Sequence, residues 1–114
     1  MRASQIVILL ALFALLSIPV QAHPPADMKL SFDQENQTLN VTITHKVSSP
    51  AGHYVMRVDI VKNDQKILSN DYTSQPSLSP FIYSYPVNAT SGDVLKATAT
   101  CSIAGSRTGE ITVI

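Results

Sequence analysis

The chain has 114 residues, and its eight lysine and arginine residues balance eight aspartate and glutamate residues, so the formal net charge is zero. No basic run or stripe departs from this balance, which argues against nucleic acid as a partner. The single cysteine excludes an intramolecular disulfide, so a small exported domain of this kind must be stabilised by its core, with or without a bound metal.

The first 22 residues predict a signal peptide. Arg2 precedes an uninterrupted apolar run over residues 6–16, and Ala22 stands where a signal peptidase would cleave. The run is short for a bilayer span, which needs about 20 residues. We therefore expect a signal peptide at 1–22 and one mature domain at 23–114, outside the cytoplasm in the periplasm or at the cell exterior. The alternative is an uncleaved membrane anchor.

Beyond the signal peptide the sequence predicts short strands and no helix. Residues 28–33 alternate apolar and polar side chains, and a polar turn follows. Residues 38–46 then alternate with a clean period of two. Four side chains of this second strand share one face: Leu39, Val41, Ile43 and His45.

The third and fourth predicted strands form a hairpin. After a break at SSPAG, residues 53–62 form a strand, and Asn63-Asp64 predicts a tight turn into a strand over 66–73. The period of two predicts one shared face in the third strand, made of Tyr54, Met56, Val58 and Ile60.

Three more strands complete the predicted fold. A loop over 74–80 leads into residues 81–87, where Pro86 marks an edge or an end. Residues 94–101 and 109–114 follow. One face of the sixth strand carries Leu95, Ala97, Ala99 and Cys101. Seven short strands joined by turns predict an all-β fold, an immunoglobulin-like antiparallel β-sandwich.

The candidate functional residues are the three histidines and the cysteine. His45 and His53 flank one loop, and His23 would begin the mature chain. Imidazole and thiolate donors suit iron, copper and zinc, whereas calcium and magnesium need more carboxylates. His45 and Cys101 both end strands on apolar faces, so such groups can converge at one end of a sandwich. Packing roles for the histidines and a filler role for Cys101 stay open.

Other kinds of catalytic site lack their residues. No glycine-rich elbow accompanies the Cys-His pair that nucleophilic catalysis would use. The acidic residues are scattered through turns and exposed positions, which argues against a pair of catalytic carboxylates. The four glycines stand singly, so the sequence contains no phosphate-binding glycine loop.

Two stretches resemble the iron-binding domain of desulfoferrodoxins and superoxide reductases: SPAGHYVMRVDIVKND and GDVLKATATCSIAG. The family has a P-x-H-Y-I strand and a late strand that ends in C-x-I-H-G. The likeness extends from about His23 to Val113, with one extra residue between the proline and the histidine. The matching residues are Pro50, His53, Tyr54, Cys101, Ile103 and Gly105.

The resemblance implies a mononuclear iron held by histidine nitrogens, with a cysteine sulfur on the axis. It also implies an oxidoreductase that reduces superoxide, or another small oxidant, with an electron from a donor that the sequence does not identify. Carried over, Cys101 is the axial ligand, and His23, His45 and His53 are nitrogen ligands. The family's remaining histidine is replaced by Ala104.

Three further interpretations follow from these differences. As a hypothesis, the α-amino group of His23, freed by cleavage, replaces the missing nitrogen, because a metal competes well for the proton of an amine. A mature N-terminal histidine is also similar to exported copper-binding proteins, and Cys101 would favour Cu(I). A metal-free surface module with the same fold is the third interpretation, and Ala104 favours it.

Overall fold

A computed structural model describes residues 23–114, which form seven β-strands. The strands are β1 (Asp27–Asp33), β2 (Thr38–Thr44), β3 (Val55–Lys62), β4 (Gln65–Asp71), β5 (Phe81–Pro86), β6 (Val94–Cys101) and β7 (Ser106–Thr112). Within this range no helix is long and apolar enough to cross a membrane. The predicted signal peptide lies outside the described residues and stays a prediction.

The strands form two antiparallel sheets that pack face to face. One sheet has the order β1-β2-β5, and the other has the order β4-β3-β6-β7. Every neighbouring pair is antiparallel. This arrangement confirms the predicted immunoglobulin-like antiparallel β-sandwich.

The core follows the alternation of the two central strands. β2 lies in the middle of the smaller sheet, and β6 lies in the interior of the larger one. Every second side chain of each strand points between the sheets, as the period of a strand requires. The buried residues of these strands are Leu39, Val41, Ile43, Leu95, Ala97, Ala99 and Cys101. The predicted inward faces of both strands are therefore confirmed.

The start of β3 departs from the predicted alternation. Its register with β6 shifts within its first three residues. An extra residue in one strand reverses which side chains face the core on the two sides of a bulge. Val55 is therefore buried together with Val58 and Ile60, whereas Tyr54 and Met56 are only partly buried. The predicted face is correct beyond the bulge and wrong before it.

The predictions of a tight turn at Asn63-Asp64 and of a strand end or edge at Pro86 are confirmed. Asn63 and Asp64 have φ angles of 49° and 66° and join β3 to β4 as a two-residue hairpin turn. Positive φ at both central residues is what a tight hairpin requires, and asparagine and aspartate tolerate it. Pro86 is the last residue of β5, an edge strand, where its missing N–H leaves no sheet hydrogen bond unmade.

The registers bring four chain segments to one end of the sandwich. Asp27 pairs with Thr44, so the start of β1 lies beside the end of β2. Val55 pairs with Cys101, so the start of β3 lies beside the end of β6. Around this end lie the segment before β1, the β2–β3 loop, the β4–β5 loop and the β6–β7 turn. All the candidate site residues belong to these segments or border them.

Candidate metal centre

The three histidines of the chain form one cluster at this end of the sandwich. The ring centroid of His23 lies 5.2 Å from that of His45 and 5.1 Å from that of His53, and the latter two centroids are 4.8 Å apart. One ring nitrogen from each residue lies within 4.8 Å of the others. Imidazole nitrogens bind zinc at about 2.0–2.1 Å, so ligands of one ion stand at most about 4 Å apart. Small side-chain movements would close this difference, and the group could hold a metal ion.

Cys101 adjoins the histidine cluster. Its Sγ lies 3.0 Å from Nε2 of His53. The side chain is buried at the end of β6, and the backbone N–H of Ile103 donates a weak hydrogen bond to the sulfur at 3.5 Å. The structure therefore places Cys101 next to one of the three clustered histidines, His53.

His45 is fully buried, and its ring is held by a glutamine. Its Nδ1 lies 2.7 Å from Oε1 of Gln75. The same oxygen accepts the backbone N–H of Val55 at 3.0 Å, and Nε2 of Gln75 donates to the carbonyl oxygen of His45 at 2.7 Å. The backbone N–H of His45 donates to Oγ of Ser79 at 3.0 Å. These contacts establish which of the two terminal atoms of the Gln75 amide is the oxygen and which is the nitrogen.

The other ring nitrogen of His45 faces an acceptor. Because Nδ1 donates to Gln75, Nε2 of a neutral ring carries a lone pair. That nitrogen lies 3.1 Å from the carbonyl oxygen of His23. A metal ion at Nε2 would take the place at which this carbonyl oxygen lies, so the backbone of His23 would have to move aside for His45 to bind one.

The surroundings of His53 favour its neutral form. Its backbone N–H donates to the carbonyl oxygen of Ser49 at 2.9 Å, within the turn that ends the β2–β3 loop. Burial lowers the pKa of His53, and the neighbouring His45 and His23 lower it further. A neutral imidazole is the form that binds a metal, so these surroundings favour ligation near neutral pH.

His23 covers the cluster from the solvent side. It is exposed, but the segment that carries it is anchored: the N–H of Ala26 donates to the carbonyl oxygen of Thr44 at 2.7 Å. Nε of Arg107 donates to the carbonyl oxygen of Pro25 at 2.8 Å. The two sheets therefore both hold the segment, with His23 at its outer end.

The β6–β7 turn fits closely against this N-terminal segment. Gly105 has a φ of +80°, and a Cβ atom there would lie 3.0 Å from Cβ of Pro24. The carbonyl oxygen of Gly105 also accepts the N–H of Cys101 at 2.9 Å. Ala104 is exposed in the same turn and offers no donor side chain where the family resemblance has a histidine.

Gln75 is the functional residue that the sequence did not indicate. It lies in the β4–β5 loop, and its side chain is only 7% exposed. Polar residues in loops are ordinary, so nothing in the local pattern distinguishes Gln75 from Ser74 or Ser77. Its role follows from the folded chain, in which this loop crosses the end of β2.

The donor set limits the kinds of ion that the centre could take. Imidazole nitrogens and a thiolate are ligands for iron, copper or zinc, whereas calcium and magnesium prefer oxygen. No protein-family model matches the chain, and no curated protein matches it either. The geometry and the chemistry of the donors therefore carry the functional interpretation.

Proposed function

We propose that this protein is an exported iron-binding domain of the desulfoferrodoxin type that reduces superoxide. In this proposal His23, His45, His53 and Cys101 hold one mononuclear iron. The observation that supports it most directly is that every histidine of the chain lies in one cluster, with the only cysteine in contact with it. A stable β-sandwich core does not require this concentration of donors.

Each of these residues has a defined part in the proposed centre. The Cys101 thiolate supplies a negative charge at a buried position, and the N–H of Ile103 supports that charge. His45 is fixed from beneath by Gln75, and the exposed His23 lies on the solvent side, from which a small molecule would approach. An iron held by these residues would supply one-electron reduction, in which superoxide takes up one electron and two protons to become hydrogen peroxide. An external one-electron donor would return the centre to the ferrous state.

Copper is the second candidate, and the number of donors favours it. The resemblance implies one histidine more than this chain contains, and Ala104 stands at that position. Three nitrogens and one sulfur are a set that suits four-coordinate copper, with the thiolate favouring Cu(I). A copper carrier at the cell exterior would use the same four residues.

Anaerobic reconstitution tests the proposal. The full chain is loaded with Fe(II), desalted and oxidised, and the visible spectrum is recorded. We expect one iron per chain and a charge-transfer band from the cysteine thiolate to ferric iron. Cys101→Ser should abolish the band. Ser91→Ala, an exposed change in the β5–β6 loop, is the matched control and should keep it.

Parallel loading with copper separates the candidates. Tight, stoichiometric copper without iron would replace the iron proposal with the copper carrier. A chain that binds neither metal would refute both proposals and favour a metal-free surface module. Superoxide consumption by the iron-loaded protein, measured against Cys101→Ser, then tests the proposed reaction.

A further inference from the structure

We propose that Gln75 is a positioning residue that holds the proton of His45 on Nδ1 and so directs the Nε2 lone pair into the histidine cluster. The effect of Gln75 on metal affinity rests on the proposed function. Its effect on the imidazole tautomer does not, because that is a property of the metal-free protein.

The contacts of Gln75 leave one orientation for its amide. Oε1 accepts from the N–H of Val55 at 3.0 Å, and Nε2 donates to the carbonyl oxygen of His45 at 2.7 Å. Turning the amide over would place its NH₂ group against the N–H of Val55. It would also place its oxygen against the carbonyl of His45. Both contacts would then be repulsive, so backbone groups set the position of Oε1.

The fixed oxygen in turn selects the tautomer of His45. Oε1 of Gln75 lies 2.7 Å from Nδ1, a distance at which one of the two atoms must be a donor. An amide oxygen only accepts, so Nδ1 must carry the proton. The alternative tautomer would place two acceptors face to face at 2.7 Å in a buried position, which is strongly unfavourable. In the Nδ1–H form the lone pair of Nε2 instead faces the carbonyl oxygen of His23 at 3.1 Å, a longer and only partly buried contact beside the rings of His23 and His53.

Gln75 also sets the distance between two candidate ligands. Its side chain bonds both to His45 and to Val55, which follows His53 by two residues. Its own backbone N–H donates to the carbonyl oxygen of Pro50 at 3.2 Å, within the β2–β3 loop. Gln75 therefore links the end of β2 to the middle of the β2–β3 loop and to the start of β3. Partners of this kind commonly change metal affinity by about 10–100-fold.

Two substitutions separate the tautomer effect from general packing. Gln75→Leu removes both the acceptor and the donor at similar size. Gln75→Glu keeps an acceptor for Nδ1 and for Val55 but loses the donor to the His45 carbonyl. Ser77→Ala is the matched control, because Ser77 is an exposed residue of the same β4–β5 loop.

The experiment measures the tautomer and the affinity independently. Long-range ¹H–¹⁵N NMR of the full, metal-free chain reports which nitrogen of His45 carries the proton. Competition with a chelator gives the affinity for Zn(II), which takes the same nitrogen and sulfur donors. We expect the Nδ1–H form in the wild type, in Gln75→Glu and in Ser77→Ala. Gln75→Leu should lose this preference and bind Zn(II) about 10–100-fold more weakly, with Ser77→Ala close to the wild type.

The outcomes that would overturn the proposal are distinct from a failure of metal binding. An Nε2–H tautomer in the wild type would refute it, and this measurement needs no variant to fold. Equal Zn(II) affinity in Gln75→Leu and Ser77→Ala would refute the effect on the centre. An Nδ1–H tautomer in a protein that binds no metal would refute the proposed function and support the positioning role.

Discussion

At the scale of single residues, the histidine cluster combines burial with mutual proximity. His53 is half-buried beside His45, His23 and Cys101. No acidic partner is part of this group, so protonation of His53 would place a positive charge in a partly desolvated site. This is the physical reason for its lowered pKa. The lowered pKa keeps the His53 imidazole available to a metal ion near neutral pH.

The free energy of unfolding of the metal-free protein should accordingly decrease as the pH is lowered. His53 has an ordinary pKa of 6.5 when unfolded and a lower pKa when folded. Between these values the unfolded chain binds more protons, so acidification below pH 6.5 favours unfolding. His53→Gln should reduce this dependence in urea unfolding curves recorded at several pH values. An unchanged pH profile in the variant would contradict this explanation.

At the scale of the elements, the alternation of apolar and polar residues correctly predicts the inward face of a strand that pairs regularly with a neighbour on each side. β2 and β6 follow their period of two throughout, and their inward residues were predictable from the sequence. The bulge in β3 was not predictable, because it depends on the register with β6 and not on any residue type in β3. The polar start of β7 was also missed, since an edge strand with exposed residues carries little apolar signal.

The same reasoning applies to the candidate site. His45 and Cys101 could be placed at one end of the sandwich, because each ends a strand on its inward face. The loops that carry His53 and Gln75 have no periodicity, so their contacts follow only from the folded chain. The anchoring of His23 likewise depends on distant groups such as Arg107.

The contact between the β6–β7 turn and the N-terminal segment can be tested by comparing two glycine-to-alanine variants. Gly105 and Gly92 both have positive φ, at +80° and +94°, so alanine at either position should cost about 1–2 kcal/mol of stability. Only Gly105→Ala meets Pro24, whereas a Cβ at Gly92 meets nothing within 4 Å.

We therefore expect Gly105→Ala to displace His23 and to weaken metal binding by about tenfold. Gly92→Ala should lose similar stability but keep the affinity of the wild type. Denaturant unfolding and chelator competition measure the two quantities separately. Equal affinities in the two variants would show that the position of His23 does not depend on this turn.

At the scale of the whole molecule, the candidate ligands come from both sheets. His45 directly follows β2 of the smaller sheet, while His53 and Cys101 border β3 and β6 of the larger one. His23 precedes β1, and the next residue, Pro24, lies against the β6–β7 turn. An ion held by all four residues would join segments that are distant in sequence, in a chain that has no disulfide.

Metal binding should therefore stabilise the whole fold. Fe(II) at about 100 times its dissociation constant would add about 2.7 kcal/mol to the free energy of unfolding, if the unfolded chain does not bind it. Anaerobic urea unfolding of the full chain, with and without Fe(II), measures this increase. Cys101→Ser should show a smaller increase than the wild type. Equal stability of the wild type with and without Fe(II) would argue against a folded-state site.

The division of the ligands between the two sheets has a consequence for maturation. Cys101 is the last of the four to be synthesised, and it reaches the histidines only after β6 has paired with β3 and the sheets have closed. A partly folded or truncated chain therefore lacks the complete set of donors. Metal occupancy would then distinguish fully folded molecules from incompletely folded ones, and metal binding would report that the two sheets have assembled correctly.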